Sequence, residues 1–182
     1  MGLDVYAVSR GYRYSEKKGD MIGSQYASAE IGYIGFLRFR NALVSFASGG
    51  QFRDIVDDTY LGKGLTWCFN DEKTFVVATG NSYFSKEDFE KNGAVIDAYL
   101  ERLDIMGEEF PKLRAVFPLI AHSDCEGEIP LAQCKEILPV LREFRKVDST
   151  NYGYARVAYN FTDELISVVE EAIAHRGKLY FC

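Results

Sequence analysis

Leu3-Asp4-Val5-Tyr6-Ala7-Val8-Ser9 alternates apolar and polar side chains, the two-residue period of a half-buried strand. Its counterpart is Lys178-Leu179-Tyr180-Phe181-Cys182, short, apolar and preceded by Gly177. Neither stretch is stable alone, because an isolated strand leaves its backbone donors and acceptors unpaired. The two are therefore expected in the same sheet. Most of the chain between them carries helical patterns. The sequence thus predicts an α+β fold: a helix-dominated single domain over residues 1–182, with a small sheet that includes both terminal strands.

Residues 32–47 place Ile34, Phe36, Leu37, Phe39, Leu43, Val44 and Phe46 at mixed three- and four-residue spacings. That is a helix with a wide buried face, stopped by Ser48-Gly49-Gly50. Ser85-Lys86-Glu87-Asp88 is an N-cap pattern that opens a helix to about residue 105. A shorter helix is expected over residues 110–121, with Pro111 in its first turn and Pro118 bending it. Another is expected over residues 131–147. Pro130 opens it, Cys134, Ile137, Leu138, Leu141 and Phe144 form its apolar face, and Pro139 kinks it. Thr162 caps a last helix over residues 163–176, and Gly177 ends it. Residues 74–79 are β-branched and read as a strand. Residues 11–25 and 51–73 read as loops, and residues 148–159 as a polar connection with room for a short strand.

The chain has 182 residues, of which 47% are hydrophobic and 26% charged, with a formal net charge of -6. An acidic balance repels phosphate, so no nucleic acid is expected as a partner. Arg38 and Arg40 lie two apart and share no helix face, so both are expected to be solvated or salt-bridged. No apolar run is long enough to cross a bilayer, so no membrane partner is expected. The first residues show no secretory pattern, which points to a cytoplasmic location. The four cysteines show no Cys-x-x-Cys spacing. They are expected as reduced thiols, with Cys125 and Cys134 buried.

The densest polar stretch is His122-Ser123-Asp124-Cys125-Glu126-Gly127-Glu128, which makes His122, Asp124, Cys125, Glu126 and Glu128 the candidate ligand-binding residues. A calcium loop would put His122 first, Asp124 third, Glu126 fifth, Gly127 sixth and Gln133 twelfth. Its first position then holds an imidazole and its twelfth a neutral amide, where hard oxygen ligands belong. A zinc centre would draw on His122, Cys125 and Cys134, joined by His175 or Cys182, but the spacing matches no common zinc framework. A structural turn needs no ion. Ser123 or Asp124 accepts backbone donors, Gly127 takes a positive φ, and Ile129 and Pro130 lead into the next helix. The turn accounts for every residue type except His122 and Cys125, so the expectation is no cofactor, with calcium or zinc as the alternatives. Cys125 beside His122 also has the elements of a thiolate–imidazolium pair, although proximity in sequence does not make a triad. Gly62-x-Gly64 lacks the third glycine and the strand-to-helix setting of a dinucleotide loop.

Met1-Gly2-Leu3-Asp4, Tyr33-x-x-Phe36-x-x-Phe39-Arg40, the turn at residues 122–128 and the closing Phe181-Cys182 together resemble an uncharacterised family of small bacterial and phage-associated proteins. No activity is attached to that family. The resemblance implies that the turn and the two termini belong to one structural unit.

Tyr12, Tyr14, Tyr26, Tyr60, Tyr152 and Tyr154 fall in predicted loops among Gly, Ser and Asn. Tyrosines so presented suit a recognition surface, and buried tyrosines tying loops down by their hydroxyls fit the same pattern. The sequence therefore supports a soluble, non-catalytic binding or regulatory module with a tyrosine-bearing loop surface, its partner a protein or small ligand. The alternative is a metal-dependent enzyme or metal-binding protein centred on residues 122–128. The oligomeric state has no signature in the sequence.

Overall fold

The structure is a computed structural model that describes residues 2–50, 55–56, 68–69, 75–76, 108–120, 127–147 and 155–182. In chain order its elements are β1 (Gly2–Val8), β2 (Arg13–Ser15), β3 (Asp20–Ile22), β4 (Gln25–Gly32), α1 (Tyr33–Ala47), β5 (Ile55–Val56), β6 (Cys68–Phe69), β7 (Phe75–Val76), α2 (Pro111–Ile120), β8 (Gly127–Pro130), α3 (Leu131–Lys146), α4 (Ala155–Ala174) and β9 (Lys178–Phe181). The fold is α+β, as the sequence predicts. The chain gathers into two compact units, residues 1–36 with 124–182, and residues 37–123.

The first unit is built on an antiparallel sheet of order β4-β1-β9-β8. The two terminal strands lie side by side, with Val5 opposite Phe181 and Ala7 opposite Leu179. Alternation then sorts the side chains. Leu3, Val5, Ala7, Ala29, Ile31, Ile129, Leu179 and Phe181 are all buried, on the face that α3 and α4 cover. Helix α4 presents Phe161, Leu165, Val168, Val169 and Ala172 to this core, at three- and four-residue spacings. Phe36, in the first turns of α1, meets Phe161 edge-on with ring centroids 6.2 Å apart. Arg142 to Glu170 and Arg145 to Asp163 bridge α3 and α4 at the surface. The hydrogen bond from Arg145 holds Asp163 below the usual carboxylate range.

In the second unit, α1 from Leu37 buries Phe39, Ala42, Leu43, Val44 and Ala47, and α2 buries Leu113, Val116, Leu119 and Ile120. Arg40 is only 2% exposed and donates to the Ile120 carbonyl at 3.5 Å, tying α1 to the end of α2. Arg38 is exposed, as a solvated side chain should be, whereas Arg40 is buried rather than solvated. Pro118 lies inside α2 and Pro139 on the exposed side of α3. Among the described residues no helix is long and apolar enough to cross a membrane.

Several boundaries differ from the sequence pattern. The supposed loop over residues 11–25 contains the hairpin β2–β3, and residues 25–32 form a full strand beside β1. Two-residue strands β5 and β6 fall within the supposed loop over residues 51–73, each pairing with β7. The helix expected over residues 85–105 lies outside the described residues. Gly127–Pro130 is a strand at the sheet edge rather than the tail of a turn, because burying Ile129 opposite Leu179 outweighs local turn chemistry. Gly127 does have a positive φ, +132°. Pro130 is the N-cap of α3, not its first helical residue. The last helix begins eight residues early, at Ala155, so Thr162 is buried inside it rather than standing at its N-terminus. An apolar stripe facing a sheet overrides a capping signal worth about 1 kcal/mol.

Both α1 and α4 end in the same hydrogen-bonded motif. In α1, Gly49 donates to Phe46 and Gly50 to Ser45, with Gly49 at φ +61°. In α4, Arg176 donates to Ile173 and Gly177 to Ala172, with Arg176 at φ +52°. The left-handed residue that ends the last helix is thus Arg176, and Gly177 is the one after it. A left-handed arginine carries steric strain that glycine lacks. Arg176→Gly is expected to raise unfolding stability by about 0.5–1 kcal/mol in urea melts.

Candidate functional site

Asp4 and Tyr6 on β1, and Lys178 and Tyr180 on β9, alternate with the buried residues and face away from the core, whereas Val8 at the end of β1 is buried. Tyr6 stands directly between Ser28 on β4 and Tyr180 on β9, and Tyr180 stands opposite Glu128 on β8. This makes one row across the whole sheet. In the next row Asp4 is opposite Glu30. On its other side Asp4 exchanges backbone hydrogen bonds with Cys182, at 3.0 and 3.1 Å. Tyr12, leading into β2, meets Tyr180 edge-on at 5.4 Å and 67°. Tyr14 on β2 is 59% exposed. Lys178 forms an ion pair with Glu128.

The side chains of this face are coupled. The Tyr6 hydroxyl, the Asp4 carboxylate and the Cys182 thiol act on one another electrostatically. Burial, then the negative field of Asp4 and of Cys182, push Tyr6 up to about 12. Burial and Asp4 push the Cys182 thiol up as well. Because the folded value of Tyr6 lies above its ordinary 10.0, its protonated form is favoured by the fold. The stability it contributes is fully present below about pH 10 and is lost as pH rises toward 12. Tyr6→Phe should therefore flatten the loss of stability across that window, read from denaturant melts at stepped pH.

Tyr26 is placed by an irregularity. Ala7 pairs with Ala27, but Val8 pairs with Gln25, so Tyr26 is the extra residue of a β-bulge. Its ring stacks on His175, 3.9 Å between centroids and 8° from parallel, just past the end of α4. His175 Nε2 lies 3.3 Å from Glu171 Oε2.

Of the residues singled out in the sequence, His122, Asp124, Cys125 and Glu126 lie outside the described residues, as do Tyr60, Tyr152 and Tyr154. Glu128 is described, and it faces Lys178. Gln133 is half-buried in the first turn of α3. Cys134 is buried and free, and its thiol donates to the Ile129 carbonyl at 3.5 Å. Burial pushes it up to about 11, which keeps it a thiol and a poor nucleophile. Cys182 is free but exposed. Among the described residues no three His, Cys, Asp or Glu are grouped to hold a metal ion, and His122 and Cys125 of the zinc set lie outside those residues.

Tyr12, Tyr14 and Tyr26 were expected in loops, whereas Tyr14 and Tyr26 lie on strands. Tyr6 and Tyr180 belong to the same surface and carry no loop signal. The available clue was parity, since both occupy even positions in strands whose odd positions are apolar. The chain matches no protein-family model, no curated protein and no solved structure.

Proposed function

We propose that the protein is a non-catalytic binding or regulatory module whose recognition surface is the tyrosine-bearing face of the first unit. The observation that supports this is the juxtaposition of Tyr6, Tyr180 and Tyr12, with Tyr14 exposed on the adjoining hairpin. Tyrosine presents a large, rigid, amphipathic area with little conformational entropy to lose, which is why it is enriched in interface centres. The test is a photoreactive phenylalanine analogue at position 14, compared with the same group at the exposed Lys135 on α3. A discrete crosslinked species from position 14 alone, competed away by unlabelled protein but not by Tyr14→Ala, is the expected result. Tyr14→Ala itself should change stability by no more than about 0.5 kcal/mol. Identical crosslinking from both positions, or none from position 14, overturns the proposal.

A further inference from the structure

We infer that the outer edge of β4 is a dimer interface, where β4 of a second copy of this chain adds antiparallel and joins the two sheets. This concerns an edge of the first unit and does not depend on the tyrosine-bearing face. The edge follows from the register. Asp4 and Cys182 exchange both backbone hydrogen bonds, so the N–H and C=O of Asp4 and Tyr6 point toward β9. Those of Leu3, Val5 and Ala7 then point toward β4, onto Ile31, Ala29 and Ala27. On β4 the alternate residues Ser28 and Glu30 are left with both backbone groups pointing outward. Both residues are exposed, and among the described residues neither finds a backbone partner on that side. Such an edge is a template for another strand, and proteins that keep it single place Pro, Lys or a very short strand there. The opposite edge is closed in this way. β8 has four residues, and its outward positions are Glu128 and Pro130, the latter without an N–H. β4 has eight residues and neither Pro nor Lys. One open edge and one closed edge make a closed pair rather than a growing sheet.

A second copy is the occupant because β4 is complementary to itself. In antiparallel pairing centred on Ala29, Ser28 of each copy stands opposite Glu30 of the other. Both backbone hydrogen bonds form at each of these pairs, and the Ser28 hydroxyl donates to the facing carboxylate. Ala29 meets its own counterpart at the two-fold axis, in the closer kind of antiparallel pair, where a methyl group fits. On the core side Ala27 meets Ile31. Sliding the register one way sets Glu30 against Glu30, which places a second carboxylate beside one that already opposes Asp4. Sliding it the other way sets Glu30 against Tyr26, the bulge residue, where β4 leaves a regular ladder. The pattern of charges and the bulge therefore select one register.

The test is sedimentation equilibrium of the full chain from about 1 to 500 μM, the range in which weak dimers fill. A reversible monomer–dimer equilibrium with no larger species is expected. Ser28→Pro removes an outward N–H without touching a bond to β1, and should weaken the dimer at least about tenfold. Ser28→Glu opposes two carboxylates across the interface and should do the same. Adding Glu30→Lys to Ser28→Glu makes an ion pair of that opposition, and should restore the dimer to within about threefold of the parent. Tyr14→Ala should leave it within about twofold. Amide exchange at Ser28 and Glu30 should slow as the dimer fills. Circular dichroism checks the fold of each variant. If Ser28→Pro does not fold, Ser28→Glu and its rescue by Glu30→Lys decide. A monomer throughout the range, or a dimer that Ser28→Glu leaves intact, overturns the inference. Failure of Glu30→Lys to restore the dimer overturns the register and the inference with it. Equal loss in Tyr14→Ala and Ser28→Glu moves the contact to the tyrosine-bearing face and overturns it as well.

Discussion

Gly177→Ala should unfold a large fraction of the protein at moderate denaturant, with a loss of about 4 kcal/mol. A Cβ at this position would lie 2.0 Å from the carbonyl oxygen of Val8 and 3.1 Å from its carbonyl carbon. Both atoms are backbone of β1, so no rotamer change relieves the overlap. Val8 is paired on both sides, with Gln25 on β4 and Lys178 on β9, and it is fully buried. Making room means moving β9 away from β1 just where α4 hands over to the strand. It would also break the hydrogen bond from Gly177 to Ala172, which closes the end of α4. The same chain position thus ends a helix and starts a strand, and only a residue without Cβ fits. The check is a chevron or equilibrium melt beside Arg176→Gly, one residue earlier, which should move stability in the opposite direction.

Phe181→Ala is expected to cost about 3–5 kcal/mol, the range for emptying a fully buried aromatic site. Phe181 is 0% exposed. It stands between Val5 on β1 and Gly127 on β8, so its ring fills the core where three strands meet. Gly127 offers no side chain to refill the space, and Val5 is fixed by its own pairing. The loss should therefore exceed that of Tyr14→Ala by about an order of magnitude, although both remove an aromatic ring. Equal losses from the two substitutions would contradict the assignment of Phe181 to the core and Tyr14 to the surface.

The tyrosine-bearing face was only partly legible in the sequence. Tyr12 and Tyr14 stood out because Gly, Ser and charged neighbours made their segment look unpacked. Tyr6 and Tyr180 looked like ordinary strand residues, and their direct opposition depends on which strands pair and in what register. The opposition of Asp4 and Glu30 has the same origin, as β4 carried no strand signal of its own. Tyr26 reaches His175 through a bulge, which a sequence without the β1 register does not reveal. Glu128, a candidate ligand in the acidic turn, pairs with Lys178, fifty residues away in the chain, and only the strand register reveals that partner.

By itself the sequence determined the α+β class, the strands at residues 3–8 and 178–181, and the helical stripes of α1, α2 and α3. It also marked Cys134 for burial and Gly127 for a positive φ. These are local properties: side-chain period, glycine's freedom and apolar spacing act within a few residues. Tertiary structure decided the rest. It extended α4 eight residues past its capping signal, because the Phe161–Ala172 stripe had a sheet to cover. It turned residues 127–130 into an edge strand, because Ile129 gains more against Leu179 than a turn offers. It buried Arg40 on α1, where the Ile120 carbonyl at the end of α2 receives it. Each outcome depends on a partner distant in the chain, and the free energy of burying surface against that partner exceeds the local preference it overrides.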